Sequence, residues 1–447
     1  MAANFDPRQD PLTKGSDTSG GKQKIEIHAW IVTYHIWNSA TPPTQPDHPL
    51  NLHPEWLMKD VNGNTFIGGQ YTFDPAHPDV QRHTYNVCMD LVTNYNVAGV
   101  NFDYVRYGGT SEGYHDVAVE RFNRLYNRTG KPVTTDPDWK QFRRDQVTAL
   151  VRKVYLSAIA ERPDVQISAD TITWAPGPTS DASWYSSSAA WNSVLQDWRG
   201  WMEEGILDLN IPMNYFRQTT HPADYVKWAD FAKDRRFNRH LINGPGIYLN
   251  TVSNAIVQMR YSRETTPAGN KADGVCGYVY KTTNNEGVST TTFLNALVAP
   301  SSYDPVSPPM FEQRANIPDM PWKTAPTKGH LKGFLTGGNA TNFLDGASVT
   351  ISGPVNRSFA SDGTGFYGSV DLPPGNYSLT ATFPGYLNAA TNFTVVPGVV
   401  ANHDLTLAVI PPLLPPSITT HPQSQTVGAS NMVVFTVEAS GTAPLSY

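Results

Sequence analysis

Apolar and polar residues alternate in blocks along the first 300 residues, and this pattern predicts strands separated by helices. Helical spacing of apolar positions predicts helices starting at Pro78, over Trp139–Ile159 and over Ala190–Glu204. The predicted strands are apolar runs bounded by polar or turn residues: Ile25–Thr33, Val97–Asp103, Val165–Thr173, Leu207–Tyr215, Leu241–Leu249 and Gly274–Tyr280. Alternating strands and helices indicate a parallel α/β sheet, and this many repeats favours a TIM-type barrel over residues 25–300.

The pattern changes after residue 300. A proline-rich linker is predicted over 301–329, and residues 330–409 then alternate apolar and polar positions between turn signals, which is typical of a small β-sandwich. A second proline-rich linker, 410–416, precedes residues 417–447, where two or three strands open a further β-domain. Residues 1–24 are rich in Asp, Gly, Lys and Ser and are predicted to be disordered.

Composition narrows the function classes. The chain has 447 residues, is 39% hydrophobic and carries a net charge of -6, which gives no reason to expect a nucleic acid partner. Cys88 and Cys276 are too few for a disulfide framework, and we expect both thiols to be buried. Neither a transmembrane run nor a signal peptide is recognisable in the printed sequence. Metal, dinucleotide and P-loop motifs are missing from it, so no metal or other cofactor is predicted.

One strand end carries the strongest candidate chemistry. Val97–Asp103 is a buried run that ends in a carboxylate, and ligands of parallel α/β sheets bind at the carboxyl ends of strands. One reaction that a carboxylate in this position can serve is the cleavage of a glycosidic bond. That reaction uses two carboxyl groups, so Asp103 would need a second carboxyl as its partner. Asp170, in the next predicted strand, is the best placed by position. Glu286 and Asp197 are alternatives that the sequence does not exclude.

Polar and aromatic residues at the other strand ends are candidate substrate ligands. Arg106 and Tyr107 follow Asp103, and Asn214 and Tyr215 end the strand that contains Pro212. Further candidates share a position at or beside a strand end: His28, Trp30, Trp174, Tyr248, Tyr280 and, as a ligand, Glu286. Because aromatic rings stack on sugars, this set favours a carbohydrate as the substrate.

These segments together resemble the bacterial glycosyl-hydrolase-like family ten, whose fold is a TIM barrel. The resemblance covers residues 25–290, through segments such as His28–Ile31, Phe73–Val80 and Val97–Tyr107. It implies hydrolysis of O-glycosidic bonds outside the cytoplasm, in some members on peptidoglycan glycan strands, with Asp103 at the position expected to be catalytic. The family often has a second Asp directly after this residue, where this chain has Tyr104.

The resemblance also implies two further strands before His28, which residues 1–24 cannot supply. We therefore expect the natural polypeptide to start upstream of Met1, with its signal peptide there. Residues 330–409 resemble a carboxypeptidase regulatory-like β-sandwich, and 417–447 resemble the start of an immunoglobulin-like repeat. The prediction is an extracytoplasmic glycoside hydrolase that acts on a polysaccharide through Asp103 and Asp170. The alternative is a carbohydrate-binding barrel without catalytic activity.

Overall fold

A computed structural model describes residues 26–313, 315 and 317–443 of the chain. Its first unit contains a six-stranded parallel sheet with helices packed against it, in the strand order β1-β5-β6-β7-β8-β9. These strands are β1 (His28–Val32), β5 (Gly99–Asp103), β6 (Gln166–Thr171), β7 (Leu209–Asn214), β8 (His240–Pro245) and β9 (Gly274–Val275). A small antiparallel sheet lies beside them, formed by β2 (His35–Trp37), β3 (Phe66–Ile67) and β4 (Gln70–Thr72).

Helices follow or precede each strand of the parallel sheet. The helices of this unit are α1 (Pro49–Leu52), α2 (Pro78–Asn94), α3 (Asp116–Tyr126), α4 (Pro137–Glu161), α5 (Asp181–Ser187), α6 (Ala189–Asn192), α7 (Trp198–Glu204), α8 (Pro222–Asp234), α9 (Val252–Tyr261) and α10 (Thr290–Val298). Two 3₁₀ turns, Pro54–Trp56 and Ile247–Leu249, complete it. None of the helices in the described part of the chain has the length and apolar character needed to cross a bilayer.

The six predicted strands are all present, in the predicted order, each shorter than its apolar run. The predicted helix over Ala190–Glu204 is two helices, which is a correction. The chain breaks between them because Leu195 has a left-handed backbone with φ 57°, and Asp197 then caps α7 by accepting a hydrogen bond from the Gly200 N–H (3.0 Å). The order and parallel pairing fit the predicted α/β barrel-like architecture.

The sheet is open at one place among the residues that the structure describes. There β1 and β9 each pair with a single neighbouring strand, and they do not pair with each other. Along the sheet the pairing is regular. Trp30 lies opposite Asn101, and Asn101 lies opposite Ser168, which places the same faces of β1, β5 and β6 on one side.

The second unit consists of two β-sheets, as the alternation over residues 330–409 predicts. Its strands are β10 (Gly329–Gly337), β11 (Ser348–Ser352), β12 (Arg357–Ala360), β13 (Phe366–Leu372), β14 (Gly375–Thr382), β15 (Ala389–Val395), β16 (Val400–Asn402) and β17 (Leu405–Leu407). One sheet has the order β13-β10-β16, with β17 also on β10, and the other has the order β12-β11-β14-β15. Between them lies a core that includes Leu331, Val349, Tyr367 and Leu379, so this unit is a β-sandwich.

The β-sandwich packs directly against helix α4. Phe366 and Val370 of the sandwich belong to the same apolar cluster as the barrel core. Lys153 of α4 is almost fully buried and donates a hydrogen bond to the Thr364 hydroxyl (2.7 Å). Arg121 of α3 forms a two-pronged ion pair with Asp345 (2.8 Å for both bonds). Helix α4 is therefore covered on two sides, which explains why buried residues occur around most of its circumference.

The proline-rich segment between the two units also contacts the barrel. Helix α11 (Pro321–Thr324) places Trp322 and Lys323 against Asp208, at the amino end of β7. Beyond the sandwich, β18 (Ser417–Thr420) and β19 (Glu438–Ser440) pair as a two-stranded antiparallel sheet. The side chains of β18 are exposed, in contrast to the buried alternating positions of the sandwich strands.

Candidate active site

The two predicted carboxylates lie on neighbouring strands at the carboxyl end of the sheet. Strands β5 and β6 pair in register, with Asn101 opposite Ser168 and Phe102 opposite Ala169. The next residues along both strands are Asp103 and Asp170, so the same register sets them side by side. Their side chains project to one face, because partners in a parallel ladder share a face.

Asp103 is buried, with 7% of its surface exposed, and several groups favour its ionised form. Its Oδ1 accepts a hydrogen bond from the N–H of Tyr104 (2.7 Å). Burial raises the pKa of Asp103, whereas the Tyr104 N–H, Arg106, Trp30 and His35 each act to lower it. Tyr104 itself has a left-handed backbone, with φ 52°, which costs free energy in a residue other than glycine and is typical of functional sites.

Asp170 has fewer compensating groups. Its Oδ2 accepts one hydrogen bond, from Asn101 Nδ2 (2.9 Å). Burial and the negative charge of Asp103 together raise the pKa of Asp170 to about 7, against opposing effects of the Asn101 and Trp30 side chains. At neutral pH a substantial fraction of Asp170 therefore carries a proton.

The pair thus consists of two carboxyl groups with unequal proton affinity. Asp103 is next to Arg106 and His35 and loses its proton first, and its charge then holds the proton on Asp170. Two neighbouring carboxyls whose surroundings separate their pKa values are the arrangement that general acid catalysis requires.

A chain of hydrogen bonds reaches Asp170 from the edge strand. His28 Nδ1 lies 3.1 Å from the Ser168 hydroxyl, and that hydroxyl donates to Asn101 Oδ1 (2.8 Å). Asn101 then donates to Asp170. Ser168 is fully buried and Asn101 is nearly so. The predicted ligand His28 consequently lies below the carboxyl pair, in contact with the sheet.

One side of the carboxyl pair is aromatic and cationic. Trp30 is 61% exposed and Trp174 is 47% exposed, although both are large hydrophobic residues. The guanidinium group of Arg106 lies between the rings of Tyr104 (4.8 Å) and Trp174 (4.9 Å). His35 packs against Tyr104, with 5.3 Å between the ring centroids. This group offers exposed rings and a fixed cation next to Asp103.

The other side consists of tyrosines. Tyr215 stacks on Tyr278 with 5.2 Å between ring centroids, and Tyr248 meets Tyr215 edge-on at 6.1 Å. Burial raises the pKa of Tyr215, and the charge of Asp170 raises it further, which places this ring beside the carboxyl pair. Cys276 also lies near Asp170, whose charge adds to the effect of burial in raising the pKa of the thiol. Its residue surface is exposed, so the expectation of a buried thiol holds for Cys88 alone.

Two predicted ligands are part of the protein core instead. Tyr107 is fully buried and its ring packs against the guanidinium group of Arg143 (5.6 Å), so it does not reach a substrate. Asn214 is also fully buried, because it faces the helix side of the sheet. Its Nδ2 donates to the Tyr225 carbonyl (3.2 Å) and to Asn243 Oδ1 (3.3 Å).

The alternative carboxylates cap helices. Glu286 accepts a hydrogen bond from the N–H of Val252 (2.9 Å), the first residue of α9, and Asp197 caps α7. Both groups satisfy backbone donors at a helix start, which explains their positions without any catalytic role. Tyr280 lies beyond the end of β9 and is 74% exposed.

Several residues of the site were not predicted: His35, Tyr104, Asn101, Ser168, Cys276 and Tyr278. The positions of Asn101 and Ser168 could have been predicted from the sequence. Each lies two residues before a candidate carboxylate of the same strand, and residues two apart in a strand project to the same face. His35 and Tyr278 are far from Asp103 and Asp170 in the sequence. They lie near the carboxyl pair only because of the order of the strands in the sheet. In the described ranges, no cluster of three or more His, Cys, Asp or Glu side chains is arranged to bind a metal ion.

Comparison with known proteins gives matches over both units. The family model described as glycosyl hydrolase-like 10 matches residues 2–260, more than half of the chain, and a carboxypeptidase regulatory-like domain model matches residues 330–408. Glycosyl hydrolase YngK of Bacillus subtilis is 25% identical over 252 residues, covering 54% of this chain and 46% of the relative. Glycosyl hydrolase DigH of Escherichia coli K12 is 26% identical over 247 residues, covering 52% of each chain.

The chain thus spans about half the length of these curated relatives. Among solved structures, the glycoside hydrolase domain of PgaB (BpsB) from Bordetella bronchiseptica aligns with 59% of this chain and 73% of that domain, at 14% identity and a TM-score of 0.41. The family match and the distant relatives support a glycoside hydrolase-type function and a carbohydrate substrate.

Proposed function

Since the chain belongs to the glycosyl hydrolase-like 10 family, we propose that it hydrolyses O-glycosidic bonds of a polysaccharide through Asp103 and Asp170. The observation that carries this proposal is the in-register pair of carboxyls on β5 and β6 with unequal proton affinity. Glycosidic cleavage needs one carboxyl that gives a proton and one that stays ionised, and this pair meets both requirements.

The surroundings of the two carboxyls support a different role for each. Asp170 retains a proton near neutral pH and donates it to the oxygen of the leaving sugar. Asp103, stabilised in its ionised form by Arg106 and the Tyr104 N–H, attacks or electrostatically supports the anomeric carbon. Water then completes the hydrolysis, and Asp170 acts as the base that accepts a proton from it.

The strand spacing favours retention of the anomeric configuration. Neighbouring strands lie about 4.8 Å apart, so the backbones from which two aspartates at the same level of the ladder project are about that far apart. Retaining enzymes have their carboxyls about 5–5.5 Å apart, whereas inverting enzymes need about 6.5–9.5 Å to admit a water. We therefore propose Asp103 as the nucleophile of a double displacement. NMR of the first product formed would show the same anomer as the substrate, and the opposite anomer would contradict this assignment.

The shape of the site supports a polymer as substrate. Trp30 and Trp174 are exposed on one side of the carboxyls and Tyr278 is 43% exposed on the other, so rings flank the reacting groups in the open. Sugar rings stack on such surfaces on both sides of the bond to be cleaved. We extend the proposal to glycan strands outside the cytoplasm, peptidoglycan among them, as the family resemblance implies.

The test is the release of new reducing ends from a panel of polysaccharides, including peptidoglycan strands stripped of peptides. We expect activity in the wild-type chain and a loss of about a hundredfold or more in Asp103→Asn. Asp90→Asn, an exposed position on α2, serves as the matched control and should retain full activity. Glycan binding by both wild type and Asp103→Asn without any cleavage would contradict hydrolysis and favour the sugar-binding alternative.

A further inference from the structure

The hydrogen-bond chain behind Asp170 has a fixed direction. The Ser168 hydroxyl has one proton and two acceptors in reach, Asn101 Oδ1 (2.8 Å) and the Val100 carbonyl (3.4 Å). The nearer amide oxygen takes the proton, and the Nδ2 group of Asn101 lies on the side of Asp170. Having given its proton to Asn101, the hydroxyl can only accept from His28. Burial lowers the pKa of His28 and favours the neutral ring, and a proton on Nδ1, 3.1 Å from the Ser168 hydroxyl, is the tautomer that this direction requires.

This direction determines which oxygen of Asp170 carries the proton. Asn101 Nδ2 donates to Oδ2, so that oxygen is occupied as an acceptor. The Trp30 side chain also acts on this carboxyl, but Oδ2 is the oxygen that accepts from the amide, which leaves Oδ1 to carry the proton of the neutral form. A reversed amide would accept a proton from Oδ2 instead and would turn it away from the leaving group.

We propose that His28, Ser168 and Asn101 are positioning residues that hold the Asp170 proton on the substrate-facing oxygen. The proposal rests on the proposed glycosidase function for its consequence in catalysis, but not for its effect on Asp170. None of the three touches the reacting atoms, and no proton moves along the chain. Each acts through the orientation of the next, and Asn101 alone contacts the carboxyl.

Other charged and titratable groups around Asp170 do not duplicate this role. Asp103 faces it from β5, Tyr215 from the end of β7 and Cys276 from beyond β9, and each acts through charge or burial. At the far end of the chain, His28 is near Glu26, Gln166 and Asp208, which favour its charged form against the effect of burial.

The substitution that isolates the chain is Ser168→Ala. It removes the donor that fixes the Asn101 amide, so the amide can reverse and accept a proton from Asp170, which raises the pKa of that carboxyl. We expect a rise of about half a unit to one unit, the effect of losing one hydrogen bond to the charged form. Thr171→Val is the matched control, because its buried hydroxyl lies on the same strand but bonds to Asn210 (2.6 Å) on the opposite face.

The measurement is a carbon-13 NMR titration of the aspartate carboxyls in the folded, full chain, with Asp170→Asn identifying the resonance. A higher midpoint in Ser168→Ala, unchanged in Thr171→Val, supports the proposal. An unchanged or lower midpoint in Ser168→Ala overturns it, and Asn101→Leu, which removes the donor directly, must raise the midpoint as well. This readout needs no substrate, so its failure is distinct from an absence of hydrolysis.

If the chain hydrolyses a glycan, kinetics give a second readout. Ser168→Ala should shift the alkaline limb of the kcat/KM profile to higher pH and lower kcat about tenfold with KM within about twofold, since the proton is retained but misdirected. A rise in KM at unchanged kcat would overturn the positioning role.

Discussion

Buried aspartates occur at both ends of the parallel sheet, and their surroundings differ. Asp208, at the amino end of β7, is fully buried and accepts hydrogen bonds from the Ile167 N–H (2.8 Å) and the Trp322 indole (2.7 Å). The ammonium group of Lys323 lies 3.1 Å from it. At the carboxyl end, Asp170 accepts one hydrogen bond from Asn101 and faces a second carboxyl.

The difference separates a structural carboxylate from a candidate catalytic one. Asp208 has a cation and donors for both oxygens, so its charge holds the barrel, α4 and α11 together. Asp103 and Asp170 have too few hydrogen-bond donors around them to stabilise two negative charges, so Asp170 retains a proton. In a barrel of this kind, residues at the carboxyl end serve chemistry and those at the amino end serve stability.

The largest expected effect is on catalysis. Asp103→Asn and Asp170→Asn should each reduce the rate of reducing-end release about 10²–10⁴-fold while the protein stays folded, because each removes one half of the acid–base pair. The rate per folded molecule, with circular dichroism as the check on folding, tests this. If a variant lost activity only in proportion to its loss of folded structure, its aspartate would be structural, as Asp208 is, and not catalytic.

Substitution at the other end should act on stability instead. Asp208→Ala leaves Lys323 without its buried partner and removes the acceptor of three donors, the Ile167 N–H, the Trp322 indole and the Tyr155 hydroxyl. We therefore expect the free energy of unfolding to fall by about 3–5 kcal/mol. Urea unfolding of the full chain measures it, with Asp90→Asn as the exposed control. A loss below about 1 kcal/mol would show that this network does not hold the units together.

The pH dependence of stability should differ between Asp170→Asn and wild type. The folded state keeps the Asp170 proton up to about pH 7, whereas the unfolded chain loses it near pH 4. The stability that the neutral carboxyl contributes is therefore present at low pH and is lost as the pH rises between these values. Relative to wild type, Asp170→Asn should gain stability over this window. Urea midpoints at pH 5 and pH 8 that differ from wild type by equal amounts would refute the raised pKa.

The smallest expected effect is a loss of stability when one hydrogen-bond donor to Asp208 is removed. Trp322→Phe keeps a ring in place but removes the indole N–H, so we expect a loss of about 1–3 kcal/mol, less than for Asp208→Ala. Chemical denaturation compares the two, and hydrolysis should not change. A larger loss than in Asp208→Ala would indicate that the ring, rather than the hydrogen bond, carries the contact.

Hydrophobic patterning predicted the sheet well. Runs such as Val97–Asp103 and Val165–Thr173 place apolar residues at alternating or adjacent positions over a length typical of a strand, and the segments between them have helical spacing. The break near Leu195 escaped prediction, because its cause is a left-handed backbone at a residue with no preference for that conformation.

The candidate site was predicted in part. Asp103 and Asp170 are side by side because position along a strand and strand order suffice to place them. Asn214 shows what position alone misses: it ends a strand, yet period-two alternation turns it to the helix side, next to Tyr225. Tyr107 lies in the loop after β5, and this loop turns back so that the tyrosine is buried in the core. No local sequence pattern predicts that turn.

The measurement that tests the account most directly compares two leaving groups in Asp170→Asn. A glycoside with a strongly acidic phenol departs without protonation, whereas a sugar leaving group needs the proton of Asp170. We predict that Asp170→Asn releases the phenol in the first turnover, before the base is needed, at close to the wild-type rate, but loses about a hundredfold or more in the same step on the sugar substrate. Equal losses on both substrates would contradict the assignment of Asp170 as the proton donor.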